Sequence, residues 1–284
     1  MIDLHMHTTA SDGKSTPAEL VARIQTLGIR TFAVTDHDTV AGVAATAERA
    51  AAAGLRFVPG IEITAVHNQR DVHMLGYFVD HESPTFLAFL ADSLADRLRR
   101  ARRMSEKLAE LGVPIDIDRI IEETGGPNSG KAIARPIIAR ALLAAGHVAS
   151  VQEAFDRFLA EGQPAYFGRY GATPVEVVSI IHAAGGLACF AHPGATNRDE
   201  LIEPLVAAGL DAIEVYHSEH TAELSEKYRG VARRHGLAVT GGSDYHGEGA
   251  HRAEFLGRVS LPEADFMEFA ARHEAARAAT GRQA

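Results

Sequence analysis

One cysteine in 284 residues, no tryptophan and only 6% aromatic side chains remove several function classes at once. A lone Cys189 cannot build a disulfide framework, a cysteine-rich zinc site or an iron–sulfur cluster. Its setting, Leu187-Ala188-Cys189-Phe190-Ala191, predicts a buried strand thiol. No uninterrupted apolar run approaches the ~18 residues of a membrane span. The start, Met1-Ile2-Asp3-Leu4-His5, lacks the basic-then-apolar layout of a signal peptide. The expected location is therefore the cytoplasm, with no membrane partner. Basic surplus is also missing. A net charge of −9 argues against duplex DNA or any broad non-specific nucleic-acid binding, while leaving room for a local basic pocket.

What the chain has in excess is histidine, fifteen in all, many set in short motifs beside Asp, Glu or Gly. The frame around them alternates apolar strand-like runs with amphipathic helical stretches, which favours parallel βαβ units. Strands are expected at Met1–His5, Thr31–Thr35, Arg56–Ile61, Val72–Phe78, Leu187–Ala191, Ala212–Tyr216 and Ala238–Gly241. Thr16-Pro17-Ala18-Glu19 reads as an N-cap, a proline at the first helical position and an early acid, starting a helix that runs to about Leu27. A second helix is expected near Val40–Ala53 and a last one from Pro262 into the C-terminal tail. Between His81 and Gly171 strand signals fade, and breaks at Pro114, Gly125-Gly126-Pro127 and Pro136 divide successive helices. The expected organisation is a barrel-like domain over 1–80 and 172–284, with an inserted helical, substrate-binding subdomain over 81–171. The run Arg97-Leu98-Arg99-Arg100-Ala101-Arg102-Arg103 lies in that insert; helical spacing is expected to spread its charges over the surface, and it receives no role.

His5-Met6-His7 puts two imidazoles on one side of a strand end, because residues two apart point the same way. Alone, that pair reads as two unrelated polar residues. It is accompanied by Ser11-Asp12-Gly13, Thr35-Asp36-His37-Asp38, Gly60-Ile61-Glu62, Asp71-Val72-His73, Ala191-His192-Pro193-Gly194 and Ser243-Asp244-Tyr245-His246. Each places an acid or imidazole beside an expected strand end, where parallel α/β folds build their sites. His5, His7, Asp12, His37, Glu62, His73, His192, Asp244 and His246 thus form one candidate ligand set of six imidazoles and three carboxylates, which suits two or three metals. Caps and turn-formers explain any one of these residues but not all nine.

The motifs Asp3-Leu4-His5-Met6-His7-Thr8, Thr35-Asp36-His37-Asp38, Gly60-Ile61-Glu62, His192-Pro193-Gly194 and Ser243-Asp244-Tyr245-His246 resemble those of the PHP (polymerase and histidinol phosphatase) family. The resemblance implies a distorted seven-stranded (β/α)7 barrel, an α/β fold, that hydrolyses phosphate esters with clustered divalent metals. It implies that His5, His7, Glu62 and Asp244 hold a first metal, a bridging Glu62 with His73 and His192 a second, and Asp12, His37 and His246 a third. The family also carries histidine at the position of Asp12. The aspartate here makes the site harder, so the expected ion is manganese, with iron, zinc or magnesium as alternatives. The inserted Gly130–Ala139 segment, Pro164-Ala165-Tyr166 and Glu214-Val215-Tyr216-His217 resemble a subgroup of 3',5'-nucleoside bisphosphate phosphatases whose relatives include RNA 5'-to-3' exonucleases.

The resulting expectation is a phosphomonoesterase that removes the 3'-phosphate of a small nucleotide. Asp244 is essential to it, and His217 or His220 is placed to protonate the leaving oxygen. Ser129, Lys131 and Arg135, with Arg135-Pro136 opening a helix, would bind the second phosphate. Exonuclease action on short 5'-phosphorylated RNA is the alternative, with histidinol phosphate hydrolysis ranked lower. An amidohydrolase-type deaminase also begins with H-x-H, but Asp244-Tyr245-His246 speaks against it.

Overall fold

A computed structural model describes residues 1–126, 133, 135–168, 171–250 and 252–281. Seven strands lie in sequence order in one sheet: β1 (Ile2–Asp3), β2 (Thr31–Val34), β3 (Arg56–His67), β4 (Arg70–Tyr77), β5 (Leu187–Phe190), β6 (Ala212–His217) and β7 (Ala238–Gly242). The sheet curls until β1 meets β7. Leu4 N–H donates to Gly241 O over 3.1 Å, Asp244 N–H donates to His5 O over 2.8 Å, and Met6 bridges Tyr245 in parallel. The approach is close enough that a Cβ at Gly242 would fall 2.3 Å from His5 N, so this position requires glycine.

Strand pairs β1/β2, β2/β3, β5/β6 and β6/β7 are parallel, but β4 runs antiparallel to β5. This departs from the expected uniform βαβ repeat. The cause is local: only Asn68 and Gln69 join β3 to β4, both with positive φ (50° and 63°), which makes a tight reversal with no room for a crossover helix. Strand β3 also continues past Ile61, where the sequence reading ended it. Ile61, Ile63 and Ala65 are buried and keep the run apolar, so Glu62 stands inside a strand rather than at its end.

The described helices are α1 (Pro17–Thr26), α2 (Val43–Ala52), α3 (Pro84–Glu110), α4 (Ile117–Glu123), α5 (Arg135–Ala144), α6 (Val151–Ala154), α7 (Pro174–Ala183), α8 (Pro193–Thr196), α9 (Ile202–Ala207), α10 (Ala222–His235) and α11 (Glu263–Thr280). The cap read at Thr16 forms a reciprocal box with Glu19, and α1 buries Leu20, Val21 and Ile24 in a core shared with Phe32, Val34, Met6 and Tyr245. Thr173, Pro174 and Glu176 repeat the device at α7. Replacing Thr173 by alanine removes the cap acceptor and one of the two donors to Glu176, whose bond from the Thr173 backbone N–H stays; a loss of about 1 kcal/mol is expected, read as a lower urea midpoint at unchanged m-value.

The chain forms two compact units, one of residues 1–67, 71–88 and 172–284 and the other of 68–70 and 89–171. The second has its own core, with Leu98, Ala101, Met104 and Leu108 of α3 packed against Ile117 and Ile121 of α4, Ile138 and Leu142 of α5, and Leu159. None of the described helices is long and apolar enough to cross a membrane.

Candidate metal centre

Glu62 is the hub of the first unit's site. It is 1% exposed, and five imidazoles surround its carboxylate. His73 Nδ1 and His192 Nε2 lie 2.7 and 3.0 Å from Oε1, while His5 Nε2, His7 Nε2 and His37 Nδ1 lie 3.1, 3.2 and 3.4 Å from Oε2. A strand-internal carboxylate can divide its two oxygens between opposite sides in this way because neither points back along the chain. Asp244 Oδ1 closes the β1 side at 3.1 Å from His7 Nε2 and 3.4 Å from His5 Nε2. Asp12, on the loop after β1, faces His246 Nε2 at 3.4 Å, His7 Nδ1 at 3.7 Å and His37 Nε2 at 3.9 Å.

These contacts define overlapping groups of donor atoms that fall within 4.8 Å of one another: His5, His7, Glu62 and Asp244; His37, Glu62 and His73; and His7, Asp12, His37 and His246. All nine residues in the sequence-derived ligand set therefore converge, from elements 240 residues apart. His7 is shared between the first and third groups, and His192 joins the second through the Glu62 oxygen that also faces His73.

Hydrogen-bond accounting shows what such a site needs. Both ring nitrogens of His7 and Oδ1 of Asp244 are buried with no hydrogen-bond partner, although each faces another donor atom closely. Orphaned buried polar atoms are costly unless something else satisfies them. Converging imidazoles and carboxylates with such orphaned atoms among them fit a divalent cation with nitrogen and oxygen ligands. The electrostatics agree. Burial would push the His7 imidazole down, but the Asp244 and Glu62 carboxylates raise it to about 10. Burial of Glu62 is outweighed by His37, His73 and His5, which hold its carboxyl well below the usual range. Burial and the neighbouring His7 and His73 lower His37 to about 4, against the pull of Glu62. Divalent cations held by these donors would balance the carboxylates in place of protons on the imidazoles.

Several groups that the sequence reading left without a role position this centre. Glu214 on β6 is fully buried; its Oε1 accepts from His5 Nδ1 over 2.9 Å and its Oε2 from His192 N–H over 2.8 Å. Although buried, the Glu214 carboxyl is held down to about 2 by His5 and His217. Asp36 accepts from Thr8 N–H, Thr8 Oγ1 and Ser11 Oγ over 2.8, 2.7 and 2.6 Å, tying down the loop between His7 and Asp12. Arg252, at φ 71°, pairs with both Asp244 and Glu219. Glu214 was visible as an acid inside an apolar strand. No motif marks Arg252.

The two candidate proton donors separate. His217 is buried with Nε2 3.3 Å from Asp244 Oδ2, and its Nδ1 accepts from Glu219 N–H over 3.1 Å, so the neutral ring carries its proton on Nε2, facing the cluster. His220 is corrected to a bracing role. Its Nδ1 donates to Val215 O over 2.8 Å and its Nε2 accepts from Gly194 N–H over 3.1 Å, which commits both ring nitrogens to backbone. Of the expected phosphate binders, Ser129 and Lys131 lie outside the described residues. Arg135 belongs to the second unit, where its guanidinium sits 5.4 Å over the Tyr166 ring and Nη1 reaches Leu159 O at 3.4 Å.

Comparison with known proteins agrees with this geometry. The PHP domain profile matches residues 3–121. A 3',5'-nucleoside bisphosphate phosphatase from Chromobacterium violaceum is 35% identical over 253 residues, spanning 87% of this chain and 88% of that protein. The 5'-3' exoribonuclease Rnm of Escherichia coli K12 is 34% identical over 251 residues, 86% of this chain and 84% of its own. The crystal structure of a candidate metal-dependent phosphoesterase from Bifidobacterium adolescentis superposes with a TM-score of 0.79 at 35% identity, covering 95% of this chain and 96% of that one. With a seven-stranded sheet nearly closed into a barrel and His/Asp/Glu clusters able to hold metals at its core, the chain belongs to the PHP family of metal-dependent phosphoesterases and hydrolyses phosphoester bonds.

Proposed function

We propose that this chain removes the 3'-phosphate of nucleoside 3',5'-bisphosphates, yielding a nucleoside 5'-monophosphate and phosphate. The observation that carries this reading is the division of Glu62 between two sets of imidazoles, one on each oxygen. That arrangement can seat two cations side by side against a small phosphomonoester, and the bisphosphate phosphatase relative spans nearly the whole chain.

His5, His7, Glu62 and Asp244 would hold one ion, Glu62, His73 and His192 a second, and Asp12, His37 and His246 a third. Manganese heads the candidates because three carboxylates stand among the donors. Bound divalent ions supply Lewis acidity and neutralise the phosphoryl charge. The chain's own groups do the rest. Glu214 fixes the His5 ring so that Nε2 faces inward. His217 holds a proton on Nε2 at the Asp244 side, the position from which a departing ribose oxygen would be protonated. Arg135, with Ser129 and Lys131, would hold the 5'-phosphate.

The test is turnover of adenosine 3',5'-bisphosphate by manganese-loaded protein, with products identified by mass. AMP and inorganic phosphate in equal amounts are expected. The exoribonuclease relative supports a second reading, cleavage of short 5'-phosphorylated RNA by the same centre. Mononucleotide release from such RNA, with no turnover of the bisphosphate, would replace the first reading by the second.

A further inference from the structure

Helical spacing spreads the five arginines of the α3 run, but Arg99, Arg102 and Arg103 share one side. Leu98, Ala101, Met104 and Leu108 are buried in the second unit's core, which fixes the opposite side outward. At about 100° per residue, Asp96, Arg99, Arg102, Arg103 and Glu106 then fall in one stripe roughly 120° wide. That stripe, with Arg100 beside it, lines a cleft of about 640 Å³ together with Tyr166 and Phe167.

The charge of the lining runs against that of the chain. Four guanidiniums face two carboxylates, Asp96 and Glu106, in a protein whose net charge is −9. Arg99 Nη2 is 3.1 Å from Asp96 Oδ1, and Arg102 Nη2 is 3.1 Å from Asp118 Oδ1. These pairs are exposed and weak, so an incoming phosphate can compete for the guanidiniums. Tyr166 joins the cleft to Arg135, whose guanidinium lies over the same ring. A cleft lined by both guanidiniums and half-buried aromatic rings suits a single nucleic-acid strand, since phosphates take the charges and bases take the rings. The volume suits one or two nucleotides.

We propose that this cleft is a binding site for a single-stranded oligonucleotide, with backbone phosphates paired to Arg99 and Arg103 and a base stacked on Tyr166 or Phe167. The proposal deepens the functional reading, resting on it for the nucleotide class of the ligand.

Binding of a 5'-phosphorylated, 3'-fluorescein-labelled hexauridylate to the full chain, followed by anisotropy in EDTA, tests this without turnover. The Arg99→Ala/Arg103→Ala variant is expected to bind about tenfold or more weakly, and the slope of log K against log salt to fall by about 1.4, roughly 0.7 for each phosphate released. The exposed pair Arg30→Ala/Arg49→Ala makes the same charge change on the other unit and is expected to leave that slope unaltered. Equal binding by wild type and the Arg99/Arg103 variant overturns the cleft, as does an equal effect of the Arg30/Arg49 control. Bisphosphate turnover by the wild type is measured separately. If it is absent while the Arg99/Arg103 effect persists, the bisphosphatase reading fails and the cleft stands.

Discussion

Glu62→Gln is expected to cut phosphate release by about a thousandfold or more and to leave the purified protein short of at least one metal ion per chain. The size follows from the several kcal/mol that metal-assisted phosphoryl chemistry contributes, at about 1.4 kcal/mol for each factor of ten. Glutamine fills the same volume but removes the charge that five imidazoles share, and it replaces one acceptor oxygen by a donor amide. That amide must then face either His73 and His192 or the side of His5, His7 and His37. Metal content by elemental mass spectrometry and initial rates at saturating manganese read the effect. Unchanged far-UV dichroism separates it from unfolding. A variant with full metal content and wild-type rate would show that Glu62 serves only to balance the imidazoles, and the bridging role would be lost.

Most of this centre was legible in the chain because its ligands sit in short motifs that strand alternation keeps on one side. His5 and His7 are two apart, as are Asp244 and His246, and the structure brings both pairs to the same cluster. What was not legible depended on chain direction and on distance. The reversal into β4 hangs on two residues, Asn68 and Gln69, whose positive φ angles no hydrophobic period records. His220 follows His217 by three residues, yet the turn after β6 carries it towards the backbone of Gly194 and Val215, so nearness in sequence misled. Arg252 pairs with Asp244 only through the loop after His246, which has no motif of its own. The arginines of α3 are spread by helical spacing, as read, but the pattern names which residues are charged and not which side of the helix is buried, so the three that share an outward side were not singled out. With Leu98 and Leu108 in a core, Arg99, Arg102 and Arg103 fall on the outward side.

Glu214→Gln is expected to weaken metal binding or phosphate release ten- to a hundredfold, the range for partners that orient a ligating histidine. The argument is one of donors and acceptors. His5 Nδ1–H and the backbone N–H of His192 both donate to this carboxylate, over 2.9 and 2.8 Å, in a site with no exposure to water. A glutamine has one acceptor oxygen, so one of the two donors must meet an amide N–H instead. If the amide turns towards His5, the ring is driven to the other tautomer, which puts the proton on the Nε2 that faces Glu62 and Asp244. If it turns towards His192, the chain entering α8 loses its anchor, and the imidazole beside Glu62 Oε1 loses its setting. Either outcome raises the manganese dissociation constant or lowers the rate at saturating metal, while the substrate KM moves little because Glu214 touches no open surface. Glu214→Asp keeps the charge but is too short to span both donors, so it is expected to recover only part of the loss. A glutamine variant with wild-type metal affinity and rate would mean that His5 is held by the inward contacts of Nε2 alone, and the buried carboxylate on β6 would then serve the fold rather than the centre.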